Sequence, residues 1–195
     1  ERELGSPPLP YCWFVFGSEG RKEQTFKTDQ DNGLIYVDPA TPEQETEARA
    51  YFSVLADHVT SGLIRVGFPP CPARYMASNP EWCQPLKVWK KYFTQWVDEP
   101  IPDSLLKFLV FFDLRPLYGK FSLAEELRNF QISLLAGKEV VFGYIANLIL
   151  KITPPLGFFK TFIVEKSGEH KDKFDLKVKG ISPLLDAVRF FSLEK

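Results

Sequence analysis

A mixed α/β fold of the α+β kind is what the sequence predicts: a small mixed sheet with helices, followed by a helical region. Two features lead there. Short apolar, β-branched and aromatic runs at Tyr11–Phe16 and Leu34–Val37 are separated by polar turn residues. Long stretches after Thr41, and again after Ser122, instead repeat their apolar residues at helical spacing.

The elements follow in order. Residues 1–10 are polar and end Pro7-Pro8-Leu9-Pro10, so they read as a linker or a connection to something upstream. Tyr11–Phe16 is a buried strand, Ser18–Thr25 a short helix, and Leu34–Val37 the second strand. Thr41-Pro42-Glu43-Gln44 opens a helix: Thr41 suits the cap, Pro42 the first helical position, and Gln44 the capping-box position. Ala48, Tyr51, Phe52, Leu55, Ala56 and Val59 form its buried face, and Gly62 is a natural stop. A strand is expected over Leu63–Phe68. Pro69-Pro70-Cys71-Pro72 must be an extended loop.

Trp82, Trp89 and Trp96 recur every seven residues within 79–97, which predicts one helical face used for packing rather than for stacking on a base. Leu105–Phe112 is a continuous apolar run that fits a buried strand ending at Asp113; a helix is the alternative, and the run alone does not decide. From Ser122 the pattern is helical, with Leu123, Leu127, Phe130 and Leu134 on one face, and 136–152 continues it. Gly157–Ile163 reads as loop or strand, Lys171–Lys179 as a charged segment, and Pro183–Phe191 as an amphipathic helix that stops mid-pattern, as in a trimmed chain.

Composition narrows the function. The 195 residues carry a formal net charge of -1, so no basic field argues for nucleic acid. Cys12, Cys71 and Cys83 lack metal-type spacing, and a sparse, odd set suits a reducing cytoplasm. No signal peptide or membrane-length apolar segment is visible. The two histidines, His58 in a helix and His170 in a lysine-rich stretch, read as solvated or structural.

The chemistry concentrates between Phe16 and Tyr36, in GSEGRKEQTFKTDQDNGLIY. Gly17-Ser18 turns out of an apolar strand, and a glycine there lets backbone N–H groups approach a phosphate. Asp29 and Asp31 open the next strand, where positions i and i+2 face the same way and can share hard cations. Thr-Asp-Gln-Asp-Asn-Gly is also good turn chemistry, so the acids gain meaning from their distance to Gly17-Ser18. Ser18 and Arg21 are candidate phosphate contacts, with Arg21 forking onto phosphate oxygens. Glu23 is a candidate to orient Arg21, and Thr28 to stabilise the turn through its hydroxyl.

Those residues resemble the DNA polymerase β nucleotidyltransferase superfamily, whose mark is Gly-Ser, a helix, then Asp-x-Asp. The first block is similar to a bacterial group of nucleotidyltransferase domains that often follow CBS or cyclic-nucleotide-binding domains. That group is related to the PII uridylyltransferases and glutamine synthetase adenylyltransferases. FPPCPARYMASNPEWCQPLKVW, FFDLRPLYGKFSLAEELR and DLKVKGISPLLDAVR extend the resemblance over most of the chain. It implies a nucleotidyltransferase domain over 11–120 and a helical, substrate-binding-like domain over 121–195. It also implies a magnesium (or manganese) cofactor held by Asp29, Asp31 and Asp113, the last as the third carboxylate of a two-metal site. Catalysis would then fall to Asp29, Asp31 and Asp113, and nucleotide binding to Gly17, Ser18 and Arg21. Asp113 as a structural partner of Arg115, or as a helix-surface acid, is the bland alternative. Asp175, Leu176, Lys177, Gly180, Pro183, Asp186 and Arg189 match the helical domain, which covers the nucleotide cleft in the resemblance; on their own they read as a charged loop and a helix. The expected activity is transfer of a nucleoside monophosphate from an NTP to a protein or small-molecule hydroxyl. The alternative is a nucleotide-sensing module that performs no transfer. No nucleic-acid or membrane partner is expected.

Overall fold

The computed structural model describes residues 3–25, 28–151, 176 and 180–193. A four-stranded sheet runs in the order β3-β2-β1-β4. Its strands are β1 (Tyr11–Val15), β2 (Asn32–Tyr36), β3 (Cys83–Pro85) and β4 (Arg115–Gly119). β1 is antiparallel to both β2 and β4, and β3 is parallel to β2, so the sheet is mixed. Both outer strands contain a proline, Pro85 and Pro116.

Every residue of β1 is buried because both faces of the sheet are covered. Alternation sends Cys12 and Phe14, with Ile35, into a large aromatic core, and Tyr11 and Trp13, with Leu34 and Tyr36, into a smaller one. The smaller core is closed by α2 (Pro42–Arg65) through Ala48, Phe52, Leu55 and Ala56. The cap forms as its residues require. Thr41 Oγ1 accepts from Gln44 N at 3.2 Å, and Gln44 Oε1 accepts from Ala40 N at 2.7 Å. Gly62 does not stop this helix, and no strand forms over Leu63–Phe68. The helix continues to Arg65, and the chain turns at Gly67, with φ of +103°. An interior glycine costs only about 1 kcal/mol. Leu63 extends the Leu55–Val59 row along the groove beside Tyr11 and Trp13.

The tryptophans pack as expected but not on one helix. Trp82 ends a short 3-10 turn (Pro80–Trp82), β3 follows, and only then does α3 (Leu86–Asp98) carry Trp89 and Trp96. Pro85 imposes the break, since proline has no N–H to give a helix interior. All three indoles are buried; Trp82 and Trp89 stack at 5.9 Å, and Trp89 Nε1 donates to Leu34 O at 3.1 Å.

The apolar run before Asp113 is a helix, α4 (Pro102–Phe112), not a strand. Ile101-Pro102 starts it with proline at the first turn. Leu105, Phe108, Leu109, Phe111 and Phe112 are buried, a helical spacing. Then α5 (Phe121–Leu135) and α6 (Glu139–Leu150) complete the large core. On α5 the buried row is Leu123, Ala124, Leu127, Gln131 and Leu135, with Phe130 and Leu134 half-buried beside it. α7 (Ser182–Leu193) packs back on α6, where Phe190 meets Phe142 at 6.0 Å. The expectations for Gly157–Ile163, His170 and Lys171–Lys179 fall outside the described residues, apart from Leu176, which is helical. No single described helix is long and apolar enough to cross a membrane.

Candidate active site

The site grows from the edge of the aromatic core. Phe16 ends the β1 segment with its ring 4.4 Å from Phe111, and the next residue, Gly17, turns the chain at φ of +58°. A Cβ at Gly17 would stand 3.3 Å from Asp31 Oδ2, so glycine serves both the turn and the close approach of that carboxylate. One helical turn follows, α1 (Gly17–Gly20), capped by Arg21. Gly20 lies against the Asp113 carbonyl so closely that a Cβ there would run into its oxygen. The two ends of α1 thus touch different acids, Gly17 the Asp31 carboxylate and Gly20 the Asp113 backbone. Arg115 seals the end of this turn, donating from Nε to Gly20 O at 3.1 Å and from Nη2 to Glu19 O at 2.9 Å.

Asp29 and Asp31 enter β2 with Gln30 between them. Gln30 turns inward, where Nε2 donates to Phe68 O at 2.9 Å and its backbone N–H to Pro69 O at 3.1 Å. The acids consequently point the other way together. Asn32 ties the next stretch down: its N–H donates to Tyr75 O at 3.1 Å, and its Oδ1 accepts from Ala77 N at 3.0 Å. This zippering brings Cys71 to the acids. The ligand atoms of Asp29, Asp31 and Cys71 all lie within 4.8 Å of one another.

The donor set has mixed chemistry. Burial, partly offset by the Tyr75 backbone and reinforced by the Asp31 charge and hydrogen bond, pushes the Cys71 thiol up to about 11. Burial thus favours the S–H form of Cys71 beside the Asp31 carboxylate. Two carboxylates fit magnesium or manganese, which favour oxygen; sulfur is a poor partner for such hard cations.

Glu19 belongs to the same neighbourhood. Partial burial raises its pKa, Arg115 and the Gln24 amide pull it back, and the charge of Asp31 raises it further. Gln24 Nε2 donates to Glu19 Oε2 and to Thr28 Oγ1, both at 3.2 Å, and the Thr28 hydroxyl donates to Asp29 O at 3.4 Å. The Ser18 backbone carbonyl accepts from Glu23 N at 2.8 Å.

Asp113 lies outside the Asp29–Asp31–Cys71 group. It caps the C-terminus of α4, and its Oδ2 accepts from Arg21 Nη1, from Arg189 Nη2 and, at 3.0 Å, from Arg189 Nε. Arg21 Nε donates to Glu23 Oε2 at 2.8 Å, and Arg189 Nη1 to Asp186 Oδ1 at 2.6 Å.

The family model described as "Putative nucleotidyltransferase DUF294" matches residues 1–103, which hold both the Gly17 turn and the acid pair. The chain belongs to that family. A second model, described as "Putative nucleotidyltransferase substrate binding domain", matches residues 139–195 of this DUF294 protein. No curated protein and no solved structure matches the chain. The family description suggests nucleotidyltransferase activity. Cys71, Glu19 and Gln24 join the site without being among the residues the sequence pattern singles out. Glu19 and Gln24 sit inside the Gly-Ser block, where local spacing already places them near the turn. Cys71, forty positions from Asp31, carried no local signal.

Proposed function

We propose that this DUF294 protein is a divalent-metal-dependent nucleotidyltransferase that moves a nucleoside monophosphate from an NTP to a hydroxyl on a protein or small-molecule acceptor, in a signalling or regulatory role. The observation that carries this reading is the convergence of the Asp29 and Asp31 carboxylates beside the Gly17 turn. In the transfer, the acceptor oxygen bonds to the α-phosphorus, the bond to the bridging oxygen breaks, and pyrophosphate leaves as the hydroxyl proton departs. Catalysis of this kind is mostly positioning and charge neutralisation. Asp29 and Asp31 would hold magnesium or manganese, with Asp113 as a third carboxylate; the cation would neutralise triphosphate charge and polarise the α-phosphoryl group. Gly17 and Ser18 would receive phosphate oxygens, and Arg21 would balance their charge. Glu23 orients Arg21, and Thr28 steadies the backbone of Asp29. In this reading residues 11–120 form the transferase domain and 121–195 the substrate-binding one, the setting is cytoplasmic, and a CBS or cyclic-nucleotide-binding domain lies upstream.

A second reading, a nucleotide sensor that performs no transfer, draws on one observation: the Asp113 carboxylate is already balanced by two guanidiniums. Calorimetric titration of each NTP with and without magnesium, followed by labelled-nucleotide transfer onto lysate, separates the two. Magnesium-dependent binding with transfer supports the enzyme. Binding that leaves no label on any acceptor supports the sensor. Absence of any NTP binding defeats both.

A further inference from the structure

Arg189, on α7, meets Arg21 at one atom. Three N–H groups from two arginines converge on Asp113 Oδ2. An arginine–carboxylate pair usually aligns two N–H groups with two oxygens. Crowding two guanidiniums onto a single oxygen brings like charges together, a cost that only an anion between them offsets. The two arginines are also anchored alike. Arg21 is tethered by Glu23 at 2.8 Å and Arg189 by Asp186 at 2.6 Å, and each turns another edge toward Asp113. Each would keep its own carboxylate if Asp113 let go. Neither is sealed off: the side chains of Arg21 and Arg189 are 20% and 14% exposed. Arg21 caps the turn that begins at Gly17, whereas Arg189 arrives from α7, in the part of the chain matched by the substrate-binding model.

We propose that Arg21 and Arg189 form a two-guanidinium clamp for the triphosphate of the nucleotide, and that Asp113 Oδ2 is its internal place-holder. This rests on the nucleotidyltransferase reading. An incoming phosphate oxygen takes the position of Oδ2 and joins α7 to the α1 turn through the ligand, so nucleotide binding is felt in the C-terminal helix. The exchange also frees the Asp113 carboxylate at the moment a nucleotide enters.

The test titrates inorganic triphosphate, metal-free ATP, magnesium–ATP and adenosine onto the whole chain. Arg189→Gln should weaken triphosphate and ATP by at least about tenfold, the size of one charge-assisted contact, and leave adenosine unchanged. Arg189→Lys should fall between, keeping charge without the fork. Asp113→Asn, which removes the competing charge, should tighten metal-free triphosphate. Hydrogen exchange on the unmutated protein supplies a readout that does not depend on any variant folding: triphosphate, but not adenosine, should slow exchange across Ser182–Leu193. Triphosphate binding that survives Arg189→Gln at full strength, or equal losses for adenosine, overturns the clamp while leaving the transferase reading intact. Unaltered exchange in α7 with triphosphate bound also overturns it. If the unmutated chain binds neither triphosphate nor any NTP, the clamp and the transferase reading fall together.

Discussion

The aromatic core and the acidic rim above it are built to opposite rules, although they share backbone. Beneath the rim, Phe14, Phe16, Trp82, Trp89, Phe93, Trp96 and Phe111 fill the space between sheet and helices, with rings 4.4 to 6.5 Å apart. On the rim, one helical turn, two facing acids and a ladder of arginine–carboxylate contacts do the positioning. The two regions meet at single peptide bonds: Phe16 is core and Gly17 is rim; Phe112 is core and Asp113 is rim. The stiff layer thus supplies the coordinates, and the rim supplies charges whose mutual repulsion the core must hold in place.

That division is open to direct attack. The largest effect is expected for Asp31→Asn, which should weaken magnesium-dependent NTP binding by more than about 100-fold, beyond the usual cost of disturbing an outer-shell partner. Its thermal midpoint without nucleotide should stay near that of the unmutated chain. Calorimetry and thermal melts check both, and a collapsed melt would show that rim and core are not separable.

Phe111→Ala attacks from the other side. It removes a ring that touches Phe16, Trp82, Trp89 and Trp96, and should cost about 3–5 kcal/mol of stability in denaturant unfolding. Loss of nucleotide affinity in the fraction that remains folded would mean that the core tunes the site rather than only supporting it. Arg21→Ala should reduce triphosphate binding by about 1.5–3 kcal/mol and leave adenosine affinity unchanged.

The mildest expectation concerns the thiols. Burial pushes Cys12 and Cys71 up to about 11 and Cys83 to about 12. Each holds its proton more tightly folded than unfolded, where 9.0 applies. Their contribution to stability is therefore complete below pH 9 and is lost as the pH climbs through the folded values. Alkylation at pH 8 should be slow in the native protein and fast in denaturant. Rapid native labelling of Cys71 alone would show that the rim admits reagent where the core does not.

What the sequence made legible tracks the range of the interactions involved. The Thr41 cap, the β1 and β2 runs and the Gly17–Asp31 block are decided within a few residues of themselves, and each reads clearly. Residues 102–112 did not, because a continuous apolar run has no period to distinguish a strand from a helix buried on most sides. Residues 63–68 form no strand for a related reason: a single glycine costs a helix only about 1 kcal/mol and is a weak stop. In the site, the approach of Asp29 and Asp31 follows from their i, i+2 spacing. The arrival of Cys71 depends on backbone bonds from Gln30 and Asn32 to a distant loop, and that of Arg189 on how α7 folds back. Neither leaves a mark in the neighbouring letters.

The prolines of the two outer strands have a consequence of another kind. A sheet border offers rows of amide hydrogens and carbonyls to any passing chain, and pairing along such borders is how many proteins form fibrils. Here one border is only three residues long and ends in Pro85, and the other carries Pro116 as its second residue. Proline brings no amide hydrogen to a growing ladder. Each border of the described sheet therefore offers one amide hydrogen fewer to a passing strand, which weakens it as a template for stacking copies of this chain.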